Sequence, residues 1–129
     1  MRKIISDSPF WKAIGMKVVD TNDCGCTLEL HVKEENLNAY SMVHGGVIAS
    51  LIDSAIGMAA HNSLPAGSGT NTAQLSVYYL RSVKQGEVIR ASSELIHRGK
   101  TTMMGNCRVI DEKGEVIAHG SATLIVLSI

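Results

Sequence analysis

"VHGGVIASLIDSAIGMAAH", residues 43–61, decides how the rest of the chain must be arranged. From Gly45 to about Asn62 nearly every position is small or aliphatic, and no proline interrupts the run. It is longer than an ordinary strand and reads as an α-helix. A helix that is apolar on nearly every side has to be surrounded. Between Gly45 and Ala60 a single ionisable side chain, Asp53, breaks the pattern.

The flanking sequence supplies the surroundings. "SPFWKAIGM" reads as a short helix, with Ser8 as its cap, Pro9 in its first turn, and Phe10, Trp11 and Ile14 on its apolar face. "KVVDTNDCGCTLELHV" reads as a hairpin turning near residues 22–25, in which Leu28, Leu30 and Val32 alternate with Thr27, Glu29 and His31. "KEENLNAYSM" and "SLPAGSGTN" are loops. Four further strands follow, "NTAQLSVYYL", "VIRASSELIH", "TTMMGNCRVI" and "VIAHGSATLIVL", joined by short turns that make successive strands antiparallel neighbours. The expected class is α+β, an antiparallel sheet of about five to six strands wrapped around one long central helix, with residues 1–129 forming one domain.

Composition narrows the function classes. The formal net charge is +0 and the pI is near 7.0, so bulk charge draws neither nucleic acid nor a membrane surface. No apolar run approaches the ~20 residues of a membrane span. The start, "MRKIISDSPFW", lacks the apolar core and cleavage site of a signal peptide, so a cytoplasmic location is expected. The 3 cysteines, Cys24, Cys26 and Cys107, are expected as free thiols. "CGC" and the histidines His31, His61, His97 and His119 lack partners at metal-ligand spacing, so neither metal nor cofactor is expected.

Asp53 therefore stands out. An unpaired buried carboxylate is costly, and aspartate is a poor residue inside a helix. Two readings stay open: a carboxylate tied down by Ser or Thr hydroxyls, or a general base or nucleophile in a cleft. The helix opens on His44-Gly45-Gly46. Backbone N–H groups in a first turn have no helical partner and sit at the positive end of the helix dipole, so they can hold an oxygen on which negative charge develops. A tight loop-to-helix turn is the plainer account of the glycines. Gly45 and Asp53 are eight residues apart, roughly 12 Å along a helix. One substrate carbonyl cannot lie within ~3 Å of both. If both act on one substrate they come from different chains, and an isologous dimer follows.

The stretch "NAYSMVHGGVIASLIDSAIGMAA" places Asn38 six residues before His44 and Asp53 nine after it, and "TAQLSVYYLRSVKQGE" follows. This pattern resembles the hotdog-fold acyl-CoA thioesterases, in particular the phenylacetic acid degradation type within the 4-hydroxybenzoyl-CoA thioesterase superfamily. The resemblance extends over nearly the whole chain in length and order of elements. It implies a homodimer with two shared sites, often paired into a homotetramer. It implies that Gly45 offers its N–H to a thioester carbonyl, and that Asp53 of the other chain is the nucleophile or the base that activates water. Asn38 and His44 would position substrate or water, and Thr72 stands where relatives place a Ser or Thr that orients the water. Many relatives carry proline after Leu-Arg, whereas Ser82 follows Leu80-Arg81 here.

The reaction so implied is hydrolysis of a small aromatic or medium-chain acyl-CoA to a carboxylic acid and CoA. Gly46 is expected on the substrate side. The turn Arg98-Gly99-Lys100-Thr101 suits CoA phosphates as well as it suits a solvated hairpin. Rival readings are an acyl-CoA binding module, a hydroxyacyl thioester dehydratase and a purely structural oligomer. Asp53 speaks against the first and last, and the spacing of His-Gly-Gly to Asp53 fits the second less well.

Overall fold

The long helix, α2 (Gly45–Ser63), begins where His44 leaves helical geometry at φ −63, ψ 136, and its ring Nδ1 accepts the Gly46 N–H at 2.8 Å. It ends at Leu64, whose N–H returns to the His61 carbonyl. The structure is a computed structural model that describes residues 8–129. The expectation drawn from the N-terminal sequence falls largely on residues 1–7, outside the described residues.

Before α2 come α1 (Pro9–Ile14), β1 (Lys17–Thr21), β2 (Gly25–His31) and a 3₁₀ turn (Glu34–Asn36). After it come β3 (Ser68–Tyr79), β4 (Val88–Arg98), β5 (Thr102–Ile110) and β6 (Val116–Ser128). The six strands form one sheet in the order β1-β2-β4-β5-β6-β3, every pair antiparallel. This is the expected sheet around a central helix: α2 packs against β2 through β6. Its sheet-facing residues Leu51, Ile52, Ala55, Ile56 and Ala59 are fully buried. The approach is close enough that a Cβ at Gly105 or Gly120 would meet Ile56 or Ile52 side-chain atoms at 2.8 and 2.9 Å.

Three local expectations differ from what folds. Phe10 was expected on the inner face of α1, but it is exposed, and Trp11 alone of the short helix is buried. A six-residue helix lying on the surface has room for one inward anchor. The polar loop after β2 contains a buried residue, Asn36, whose side chain accepts the Lys33 N–H at 2.9 Å and donates to the Ile14 carbonyl at 3.0 Å. The segment after β3 is not a hairpin turn. Both edges of β4 are taken by β2 and β5, so β3 goes to the far edge of the sheet and pairs with β6. The eight residues 80–87 make that crossing. They are pinned by the Arg81 N–H on Ile117 and by the Val43 N–H on the Val83 carbonyl.

Among the described residues, no helix is long and apolar enough to cross a membrane. All 3 cysteines are free thiols, Cys24 exposed and Cys26 and Cys107 buried.

Candidate active site

One strip of α2 is not sealed by the sheet. Ser50, Asp53, Ser54, Gly57 and His61 recur every three or four residues, which puts them on one helix face, and all are only partly buried. Asp53 sits at the middle of this strip. Its Oδ1 accepts a 2.6 Å hydrogen bond from the Thr72 hydroxyl on β3. Thr72 reaches it beside an irregularity, since the β3–β6 register shifts between Thr72 and Gln74. Such bulges leave one residue unpaired and re-aim the side chains around them. The other carboxylate oxygen has no hydrogen-bond partner among the described residues. It belongs to a cleft of about 370 Å³ whose walls include Trp11, Gly57, Met58, Thr72 and Ile129.

The amide end of α2 lines a different cleft, about 360 Å³, together with Asn38, Met42, Ile48, Tyr79 and Arg81. The Gly45 N–H has no partner among the described residues. Its carbonyl accepts the Tyr79 hydroxyl at 2.9 Å, which fixes the helix start against the end of β3. Gly46 behaves otherwise than expected. Its N–H is used by the His44 cap and its carbonyl accepts the Ser50 hydroxyl at 2.7 Å. A single free amide, that of Gly45, is therefore available to a ligand, because the ring preceding the helix consumes the next one.

Asn38 shapes the approach to this end. Its Oδ1 accepts the N–H groups of Tyr40 and Met42 at 2.9 and 3.1 Å, closing a turn in which Ser41 adopts φ 62. That left-handed conformation is uncommon for a residue with a side chain, and the Asn38 hydrogen bonds hold it. The side-chain NH₂ of Asn38 has no partner among the described residues, and Asn38 lines the cleft. His44 accepts at Nδ1, so in its neutral form the proton is on Nε2, on an exposed ring.

The five expected catalytic residues thus fall into two groups within one chain. Asn38, His44 and Gly45 gather at the helix start and Asp53 and Thr72 mid-helix; Asn38 and Gly45 line one cleft, Asp53 and Thr72 another, and His44 caps the helix beside the first. The turn of Arg98, Gly99, Lys100 and Thr101 lines neither cleft, and the Arg98 guanidinium contacts the Cys24 sulfur at 2.7 Å. Tyr79 and Gly57 are not singled out by the sequence, which reads Trp11 only as part of the apolar face of α1; Gly57 was within reach, being one helical turn after Asp53.

The two buried thiols are poor candidates for the nucleophile. Burial pushes Cys26 and Cys107 up to about 12, reinforced by Asp20 beside Cys26 and by Cys26 beside Cys107. At neutral pH both are protonated, and the thiolate is the reactive form. Among the described residues, no three His, Cys, Asp or Glu side chains gather as a metal site.

A long helix packed along one six-stranded antiparallel sheet is the hotdog fold of the thioesterases. The chain belongs to the Thioesterase superfamily, whose family model matches residues 40–118. It is 25% identical over 115 residues to the 1,4-dihydroxy-2-naphthoyl-CoA hydrolase of Listeria monocytogenes, covering 89% of this chain and 93% of that one. It is 22% identical over 107 residues to the acyl-coenzyme A thioesterase PaaI of Escherichia coli, covering 83% of this chain and 74% of that one. The solved PaaI structure matches with a TM-score of 0.88 over 95% of this chain and 87% of that one. A Streptococcus mutans protein solved bound to acetyl CoA matches with a TM-score of 0.81 at 26% identity, covering 88% of this chain and 89% of that one.

Proposed function

We propose that this chain hydrolyses acyl-CoA thioesters with small aromatic or medium-chain acyl groups, as an enzyme of the phenylacetic acid degradation type. The observation that carries the reading is the state of Asp53. One oxygen is oriented by Thr72 and the other is free in a cleft. The hydroxyl bond alone would suit a structural carboxylate; the oxygen left facing the cleft is what makes Asp53 available to a substrate. The chemistry in the names of the Listeria and Escherichia relatives, and the acetyl CoA held by the Streptococcus protein, support the substrate class.

In this reading the thioester carbonyl oxygen accepts the Gly45 N–H at the positive end of α2. That donor strengthens its hold as negative charge develops on the oxygen. Asp53 of a second copy attacks the carbonyl carbon, or takes the proton of the water that attacks it. The carbon–sulfur bond then breaks and the CoA sulfur leaves and gains a proton; where water attacked, the carboxylic acid is released at once, and where Asp53 attacked, a water molecule hydrolyses the acyl–Asp53 anhydride to the acid and restores the carboxylate. Thr72 fixes the carboxylate rotamer, while Asn38 and His44 Nε2–H orient substrate or water. The cations Arg98 and Lys100 are assigned to the phosphate end of CoA, beyond both clefts. The pairing into a homodimer rests on the separation of the two clefts. Further pairing into a homotetramer is supported by Ile96, Met104 and Ile125, exposed on outward positions of β4, β5 and β6.

Release of CoA thiol should be followed with acetyl-, hexanoyl-, benzoyl- and phenylacetyl-CoA. Turnover is expected on at least one of the larger three. The Asp53→Asn variant should lose about 10²–10⁴-fold in kcat with its melting temperature unchanged. Hydrolysis by that variant at near the wild-type rate would remove Asp53 from the mechanism, and no turnover on any of the four would favour the binding module.

A further inference from the structure

Gly57 lies in the interior of α2 without a side chain, and no packing contact within the chain requires it. Glycine weakens a helix relative to alanine. Where this protein tolerates glycine for packing, the reason is visible: side chains of α2 press against Gly105 and Gly120. A Cβ built at Gly57 would meet nothing within 4 Å, and its backbone is not in the left-handed region. What lies over it is the Asp53 cleft. Gly57 follows Asp53 by four residues, which sets it on the same helix face roughly 6 Å further along. Beyond it the apolar side chains of Trp11 from α1, Met58, Leu127 and Ile129 line the cleft, with His61 and Asn71 as its polar members.

We infer that the acyl group lies along α2 from Asp53 over the open backbone of Gly57, with Trp11 closing the far end. Gly57 is then the residue that sets how large an acyl group is accepted. This inference rests on the proposed thioesterase reading. It assigns the substrate class as acyl groups larger than acetyl, because a two-carbon acyl group stops short of Gly57. Trp11 is expected to touch the tip of the acyl group.

The test fills the space. Gly57→Ala and Gly57→Leu should fold at least as well as wild type, because the helix gains a better former and the new atoms enter the cleft. With Gly57→Leu, kcat/KM on hexanoyl-CoA and benzoyl-CoA should fall tenfold or more, within the roughly 10–200-fold that a misfitting apolar pocket imposes. Acetyl-CoA should change less than about twofold, and Gly57→Ala should fall between. Equal losses on all three substrates, or no loss on any, would overturn the inference. So would conversion of the variant to monomers in size-exclusion chromatography, which would assign the space to the contact between copies.

A second readout does not depend on turnover. Trp11 is the chain's one tryptophan and is 8% exposed. Titrating wild type with a hexanoyl-CoA thioether, which cannot be hydrolysed, should shift its emission, and Gly57→Leu should abolish the response. That response without any turnover on authentic thioesters would sink the hydrolase reading and keep the cleft. Turnover with an unresponsive Trp11 would do the reverse.

Discussion

Gly45 is the first residue of α2, the one helical position at which proline is at home and a missing N–H is tolerated. This permits an unusually clean substitution. The extended ψ of 136 at His44 suits a residue that precedes proline, and a Cβ at position 45 would meet the Tyr79 ring at 3.5 Å, ordinary contact. Gly45→Pro therefore deletes the free amide and leaves the helix start in place. In steady-state assays kcat should fall about 10²–10³-fold, the loss typical of removing one oxyanion donor, with an unchanged far-UV spectrum and melting temperature. A kcat within a few-fold of wild type would show that this amide does not meet the carbonyl. Asp53 stands out in the sequence because a lone carboxylate inside an apolar run has to be tied down or put to use, and its bond to Thr72 is compatible with either. The fate of Gly46 was not legible there, because whether a histidine ring turns back to cap the following helix depends on its rotamer. Tyr79 was equally hidden, since its hydroxyl meets Gly45 across 34 residues of chain.

At the scale of elements, α2 and the β4–β5–β6 meander could be read directly from periodicity and turn spacing, and residues 118–124 fall on the faces that their alternation assigns. The crossing of β3 to the far edge could not, because it depends on which edges of β4 are already occupied. The register irregularity that helps present Thr72 to Asp53 is hidden for the same reason: a bulge is a property of two paired strands, not of one. Asn36 shows how a short polar loop acquires a structural duty. Its side chain joins the end of α1 to the loop, and its carbonyl accepts the His44 N–H at 2.8 Å, so it sets where α2 begins. Asn36→Leu keeps the volume close but leaves the Lys33 N–H and the Ile14 carbonyl unpaired, each worth about 1–3 kcal/mol when buried. Urea unfolding should show a midpoint lowered accordingly with the slope unchanged. A midpoint equal to wild type would mean that water reaches both groups and that the loop is not fixed by this side chain.

For the molecule as a whole, the open strip of α2 and the free edge of β3 belong to one problem. β3 is a 12-residue strand at the edge of the sheet among the described residues, ending in the exposed Tyr78 and Tyr79. Long open edges invite pairing with another chain. Thr72 of β3 holds Asp53 and Tyr79 of β3 holds Gly45, so the strand carries a marker for each half-site. Antiparallel pairing of β3 with its own copy, in the register that sets Thr72 against Tyr79 with Ala73 left out of the ladder by the irregularity, puts the two-fold axis at Ser76. The proposed shared sites require that each Asp53 then comes beside the other copy's Gly45, with the exposed strips of the two helices facing one another. Complementation separates this arrangement from any single-chain site. Gly45→Pro and Asp53→Asn chains are each expected to be inactive alone. In a mixed dimer, one site carries both defects and the other carries none. Equal amounts unfolded and refolded together give mixed dimers as half of all dimers, each with one sound site of two. The recovered activity should be about a quarter of wild type, and it should track the mixed species when differently tagged chains are separated. If Gly45 and Asp53 served one carbonyl within the same chain, every site in the mixture would carry one defect, and refolding together would recover nothing above the two parents.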